Sequence, residues 1–387
     1  MIRGGALILW LSGWLGCASG QPTETARLPD SGSTVMAVAS SAPVEIGSAS
    51  PATSASAAPT LSAMPDLPSP FACGAMNRAV ETFAMAPAAT MLTSNGEALF
   101  WTDGKSVQRV SVSGEATTIV PASPGAARIV NLVALDADLF VVRRKDDGNC
   151  VGSMERVDTA DGGRREVVRN RCVDRLAVSR SHLAWIAPEW FPGGYEEERV
   201  SVKARVSGAD TKVLTRSIGP MAGIALTEDR LVISFGSGRV ESSALADPDR
   251  LAPVSGTAPV RFSFNASDQR LLAVDAAHAY FFGSGSRQGG LRVFRAPLDG
   301  KNTETIGSYA DLERPAAPGM AWAASPSHLH FTLPSAGLVF RADKTGRCGV
   351  ERLAADRATP EWPALAGDGL FWLELGAKPI VISRMKL

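Results

Sequence analysis

The sequence predicts an all-β fold, a seven-bladed β-propeller of four-stranded blades, preceded by a signal peptide and a disordered linker. Three observations carry this. A short apolar run follows a small polar turn seven times: at Leu99, Leu139, Leu183, Leu231, Ala279, Leu329 and Leu370. The copies stand 40 to 50 residues apart, a period that indicates a propeller or solenoid. Around each copy, β-branched and aromatic residues alternate with turn residues every few positions, which excludes long helices.

The second unit shows the internal plan. "IVNLVAL" reads as a strand, "DAD" as a turn and "LFVVRR" as a second strand. After a loop come "SMERVD", the turn "TADGG" and "RREVVR". Four short strands per unit make a propeller blade. The second-strand runs, such as Leu139-Phe140-Val141, are continuously apolar, so both of their faces must be buried between neighbouring blades. Glycine turns such as "VSGE", "LDGK" and "KTGR" separate third from fourth strands. The seventh unit ends after "GLFWLEL" and "PIVISRM" and lacks an outer strand. "RAVETFAM", Arg78 to Met85, precedes the first unit and belongs to no blade of its own. It is expected to supply the missing strand and close the ring.

The N-terminus reads as an export signal over residues 1–16. Arg3 is its positive region, and Ala6 to Leu15 are its apolar stretch. About ten apolar residues fall short of the roughly twenty that a membrane-spanning helix needs. Gly16-Cys17 resembles the lipobox of bacterial lipoproteins. The resemblance implies that Cys17 carries a lipid and anchors the mature chain to a membrane. With Ala18 and Ser19 behind it and no Asp retention signal, it implies the outer membrane. Ordinary cleavage nearby, with Cys17 discarded, is the alternative. Residues 17–70 are rich in Ser, Ala and Pro and carry few charges, as in "SASPATSASAAPTLSAMPDLPSP". Such a stretch buries too little apolar surface to offset its chain entropy. It reads as a tether about 40 Å from end to end, leaving residues 71–387 for the propeller.

Five cysteines are present: Cys17, Cys73, Cys150, Cys172 and Cys348. Setting Cys17 aside leaves four in an oxidising compartment. The blade plan places Cys73 and Cys348 on one rim of adjacent blades, and Cys150 and Cys172 on the opposite rim. The expected disulfides are therefore Cys73–Cys348 and Cys150–Cys172.

"LFWTDG", Leu99 to Gly104, followed by "VQRVSVSG", resembles the YWTD signature of β-propellers, with Phe100 in place of the Tyr. The exported TolB-like propeller of the Tol-Pal system is similar in shape. Both resemblances imply a propeller. Neither assigns an activity.

Lys+Arg and Asp+Glu are equal at 39 each, so no basic excess points to nucleic acid. A basic residue recurs before the third-to-fourth turn at Arg109, Lys203, Arg295 and Arg341, with Arg156 one residue out of step. Repetition at equivalent places argues for interblade contacts. His182, His278 and His328 share the position just before the second strand. They belong to different blades, so strand capping fits better than a metal site, whose ligands must converge to about 2 Å from one ion. The acidic stretches Asp146-Asp147-Gly148-Asn149 and Glu196-Glu197-Glu198 lack the ligand spacing of a calcium loop. No HExxH, P-loop or G-x-S-x-G motif occurs, and neither a metal nor an organic cofactor is expected.

The most informative insertion is "PEWFPGGYEEER", Pro188 to Arg199, between the second and third strands of the third blade. Trp190, Phe191 and Tyr195 make it the candidate binding loop, since aromatic anchors dominate binding hot spots. It shares a rim with the loop at Gly283 to Gly290 and with the Cys150 loop. The sequence thus reads as an envelope-tethered, non-catalytic scaffold that recognises an envelope protein or polymer through its loops. The alternatives are a propeller hydrolase or lyase with its site at the channel mouth, and a structural part of an envelope complex.

Overall fold

The computed structural model describes residues 78–122, 125, 127–145, 151–190, 196–205, 211–213, 221–235, 240–250, 252–253, 270–284, 291–298, 303–309 and 321–387. Residues 1–77 lie outside them, and with them the expected signal, the expected lipid acceptor Cys17, the expected tether and Cys73. Strand β1 is Val80–Met85. Blade one holds β2 (Met91–Ser94), β3 (Leu99–Thr102), β4 (Val107–Val110) and β5 (Ala116–Val120). Blade two holds β6 (Arg128–Leu135), β7 (Asp138–Arg144), β8 (Gly152–Asp158) and β9 (Arg164–Arg171). Blade three holds β10 (Arg175–Val178), β11 (His182–Trp190), β12 (Glu196–Ala204) and β13 (Thr211–Val213). Blade four holds β14 (Met221–Leu226), β15 (Arg230–Phe235), β16 (Val240–Ala244) and β17 (Ala252–Pro253). Blade five holds β18 (Arg270–Val274), β19 (His278–Ser284), β20 (Leu291–Pro297) and β21 (Glu304–Tyr309). Blade six holds β22 (Trp322–Ala324), β23 (His328–Leu333), β24 (Leu338–Asp343) and β25 (Val350–Ala354). Blade seven holds β26 (Pro360–Ala366), β27 (Gly369–Glu374) and β28 (Val381–Lys386).

Each of the first six blades is an antiparallel meander in chain order. The seventh runs β26-β27-β28-β1, so the N-terminal strand is its outer edge, as the sequence predicts. Val80 pairs with Met385 and Met85 with Val381. The first strands of the seven blades touch one another in order around the ring. The closure between blades seven and one is pinned at this inner circle. There Gly367 N donates to Gly96 O at 2.8 Å, and Ser94 Oγ donates to Leu365 O at 2.7 Å. Within blade seven, Phe83 of β1 meets Phe371 of β27 edge-on, with ring centres 4.9 Å apart, and Arg384 of β28 stands over both rings.

Apolar burial is divided among the seams between blades. The described residues form seven clusters, and each joins two neighbouring blades. Phe100 and Val107 of blade one meet Leu139 and Val141 of blade two, for example, while Phe140 and Val142 meet Leu183 and Trp185 of blade three. Successive residues of β7 thus serve opposite seams. This is the physical reason for the unbroken apolar runs in the second strands.

Several polar groups inside the seams are tied off. Arg109 Nη1 donates to Thr159 O at 3.4 Å, and Arg295 Nη1 to Lys344 O at 2.9 Å; each reaches the third-to-fourth turn of the next blade. The recurrent basic position therefore makes interblade carbonyl contacts at these two sites. Arg341 and Arg156 instead pair with carboxylates of their own blades, Glu351 and Asp138. In blade seven the buried Glu374 accepts from Trp372 Nε1 at 3.2 Å, Ser383 Oγ at 2.7 Å and Ala358 N at 3.0 Å, and it pairs with Arg357. Burial pushes its carboxyl up, but these donors outweigh that and hold it below the usual range.

His330 is one of the exceptions, along with groups such as Trp185 Nε1 and Thr332 Oγ1. It lies in the seam between blades six and seven, 1% exposed, and neither ring nitrogen has a well-formed hydrogen bond. Burial, with His328 and Arg341 nearby, pushes its pKa down to about 3. Unfolding restores a value near 6.5. The unfolded chain then binds a proton that the native chain refuses, so stability falls as pH drops from 6.5 towards 3. The slope is about 1.4 kcal/mol per pH unit well below the upper limit. His182 and His328 are lowered too, chiefly by burial, and add a smaller share. Between pH 6.5 and 4.5, above the range where carboxylates such as Glu374 titrate, denaturant unfolding of His330→Leu should show a clearly shallower pH slope than the parent. Equal slopes would exclude His330 as the source.

Candidate functional site

Antiparallel order sorts the connections onto two rims. One rim carries the links between second and third strands and the links from blade to blade. The other carries the links between first and second and between third and fourth strands. On the first rim, the "LFWTDG" stretch is strand β3 running into a tight turn that is built by its own side chains. Asp103 Oδ1 accepts from Lys105 N at 2.8 Å and Ser106 N at 2.7 Å, and Thr102 Oγ1 accepts from Gly104 N at 2.9 Å. Trp101 is buried below it. The motif is thus a structural turn.

The insertion of blade three is mostly strand. β11 and β12 pair continuously from His182↔Ala204 to Trp190↔Glu196. Their flanking strands stop earlier: β10 reaches only Ile186, and β13 pairs only from Ser201. Residues 187–190 and 196–200 therefore continue as a two-stranded ribbon, with no third strand beside them among the described residues. Pro188 and Glu196-Glu197-Glu198 read as loop in the sequence, and ribbon pairing overrides that preference. Trp190 ends the described part of β11. Phe191 and Tyr195 lie outside the described residues.

The base of the ribbon is anchored to the next blade. Glu198 Oε2 accepts from Met221 N, and an Arg175 guanidinium nitrogen donates to Met221 O. Met221 opens the inner strand of blade four, so one residue's amide and carbonyl are both held by side chains of blade three. Asn131 Nδ2 of blade two reaches Asp174 O at 3.3 Å, joining blade two to the same region.

The equivalent histidines lie on the opposite rim. His182 Nδ1 is 2.9 Å from Ser181 Oγ, and His328 Nδ1 is 2.8 Å from Ser327 Oγ. His278 Nδ1 stands 3.6 Å from Asp275 Oδ1. Each is engaged with its own turn, and the structure does not bring the three together. No group of three His, Cys, Asp or Glu side chains among the described residues is placed to hold a metal ion.

Cys172 and Cys348 are half-cystines. Cys172 follows β9 on the ribbon's rim, and Cys348 lies in the turn between β24 and β25 on the other. Cys73 and Cys150 lie outside the described residues, so no complete S–S pair is seen among the described ones.

One group of perturbed titratable side chains lies in a seam. Between blades five and six, Tyr280 Oη donates to Asp275 Oδ2 at 2.7 Å, and Lys344 Nζ lies 5.2 Å over the Tyr280 ring. Burial and the Asp275 carboxylate push the Tyr280 hydroxyl up, and burial pushes the Lys344 ammonium down. Sequence reasoning passed over this group, as it did His330. Each sits within a strand or turn whose pattern already reads as core.

No family model and no curated protein matches the chain. Solved structures do match at the level of fold. A streptogramin B lyase aligns over 81% of this chain and 99% of its own, at 14% identity and a TM-score of 0.58. An oligogalacturonate lyase in complex with manganese covers 80% of this chain and 90% of its own, at 12% identity and a TM-score of 0.55. A chain of the mitotic checkpoint complex covers 84% of this one and 97% of its own, at 11% identity and a TM-score of 0.54. These likenesses show a β-propeller, and the neighbours include both lyases and a member of a protein assembly.

The anchoring of the ribbon is testable. Replacing Glu198 by Ala should speed hydrogen exchange at the Met221 amide while lowering global stability by only about 1–2 kcal/mol, the cost of one charge-assisted hydrogen bond. Unchanged exchange at Met221 would show that the ribbon is held by other contacts.

Proposed function

We propose that this protein is a non-catalytic scaffold of the bacterial envelope that recognises a protein or an envelope polymer through the rim carrying the blade-three ribbon. One observation carries the reading: a ribbon that outruns its own blade, is anchored at its base to blade four, and ends in an aromatic stretch. Trp190, Phe191 and Tyr195 are the aromatic residues that the sequence carries at and after the end of β11, and aromatic anchors on a rigid support suit recognition. The Asp275, Tyr280 and Lys344 group supports the same reading, because its shifts are accounted for by packing between blades. Cys17 carries the lipid, residues 17–70 are the leash, and the propeller works away from the membrane surface. The disulfides are Cys73–Cys348 and Cys150–Cys172.

The second reading is a lyase with its site at the channel mouth. It is favoured by the two lyases among the structural neighbours, whose likeness extends to fold alone.

A photo-reactive residue in place of Trp190, expressed in the native cell and activated in intact envelopes, separates the two. The scaffold reading expects one envelope component cross-linked at this site, and a mature N-terminus at lipid-modified Cys17. No cross-link, together with an unmodified N-terminus beyond Cys17, would overturn it.

A further inference from the structure

The second strand of blade six carries polar groups on a face that is apolar in most other blades. His330 and Thr332 alternate with Leu329, Phe331 and Leu333 along β23, so the two share one face. That face is turned to blade seven, because Val339, the register partner of Thr332, packs there with Leu370, Trp372 and Met385. His330 pairs in register with Arg341, and Arg341 with Glu351, so Glu351 of β25 belongs to the same face. All three are buried: His330 is 1%, Thr332 0% and Glu351 6% exposed.

The protein does not use up the hydrogen-bonding capacity of these groups. Arg341 donates to Oε2 of Glu351, while the buried Oε1 accepts from no protein donor. Thr332 Oγ1 has no protein partner either. One ring nitrogen of His330 meets the Ala323 backbone in poor alignment, and the other has no partner. Across the seam, Trp372 Nε1 and Ser383 Oγ already donate to Glu374, and Leu370 and Met385 are apolar. With the neutral ring's proton on the nitrogen beside Ala323, the other nitrogen accepts, as Glu351 Oε1 does, and the Thr332 hydroxyl donates. A water molecule accepts from one such group and donates to two. His330 and Thr332 are two residues apart on an extended strand, with Cα atoms about 7 Å apart. Two hydrogen bonds through one water oxygen span roughly 5.5 Å. Leaving three buried polar groups dry costs more than immobilising one water, and a buried water typically serves about three such groups.

We infer that the seam between blades six and seven binds a buried water molecule, which accepts from Thr332 Oγ1 and donates to His330 and to Glu351 Oε1. The water is a fixed part of the interior and ties β23 to β25 on the face that meets the closing blade. This site is independent of the scaffold reading.

A crystal structure of the full chain, at a resolution that shows ordered solvent, tests this together with the Thr332→Val variant. The parent is expected to show a solvent peak within about 3.2 Å of Thr332 Oγ1 and of a His330 ring nitrogen or Glu351 Oε1. Thr332→Val keeps the shape of the side chain and removes the donor, so the peak should weaken or vanish. A parent seam with no peak, its polar groups bonded directly to protein atoms, would overturn the inference. So would an unchanged peak in Thr332→Val, or a peak about 2 Å from a ring nitrogen, the distance of a bound metal ion. Should the variant fail to fold, magnetisation transfer from water to the His330 ring protons of the parent in solution decides the matter. Transfer is expected, and its absence would mean a dry seam.

Discussion

Every blade of this protein has a second strand buried on both faces, apolar on both in most blades and on one in blade six, where His330 and Thr332 line the other, and the rest of the structure follows from covering it. A two-layer sandwich covers one face of each sheet. A ring of stacked sheets covers both, and only if it has no end. The seven seam clusters are the result. Residues one apart in β7 pack against different neighbours, Leu139 against blade one and Phe140 against blade three. Stability is therefore shared around a circle. The place where the chain's two ends meet, β1 against β28, completes the circle.

The same constraint explains the polar interior. A blade's strand ends and turns must pass close to its neighbour, so carbonyls of one blade fall beside arginines of the next, as at Thr159 and Lys344. Groups caught deeper have displaced pKa values because water is excluded there. The Asp275, Tyr280 and Lys344 cluster shows this, as does the lowered His330. In Asp275 burial alone would raise the carboxyl, but the Tyr280 hydroxyl, two backbone amides and the Lys344 charge reverse the sign. Perturbed groups in a propeller therefore arise from stacking as well as from catalysis. Their position relative to the rim is what separates the two causes.

Much of the fold was legible in the sequence because its signals are local or periodic. The repeat spacing, the doubly apolar second strands and the unpaired "RAVETFAM" segment led to seven blades and to the closing strand, and the strand topology agrees. The candidate site was less legible. Pro188 and three consecutive glutamates hid a ribbon whose existence depends on pairing between β11 and β12. His330 could have been noticed, since "HLHF" alternates two histidines with apolar residues. Which of them was buried without a well-formed hydrogen bond depended on the neighbouring blade.

The account stands on closure of the ring by β1. The most direct measurement compares hydrogen exchange and cooperative unfolding in two chains, one starting at residue 71 and one starting after Met85. Closure predicts that the shorter chain loses protection at the alternate β28 amides between Val381 and Met385 that point to β1, while those that point to β27 are less affected. It also predicts that protection falls on both sides of the blade seven seams and that unfolding occurs at much lower denaturant. Equal protection and an equal midpoint in the two chains would contradict it. The ring would then be held by the inner circle alone, and β1 would be an ornament on its edge.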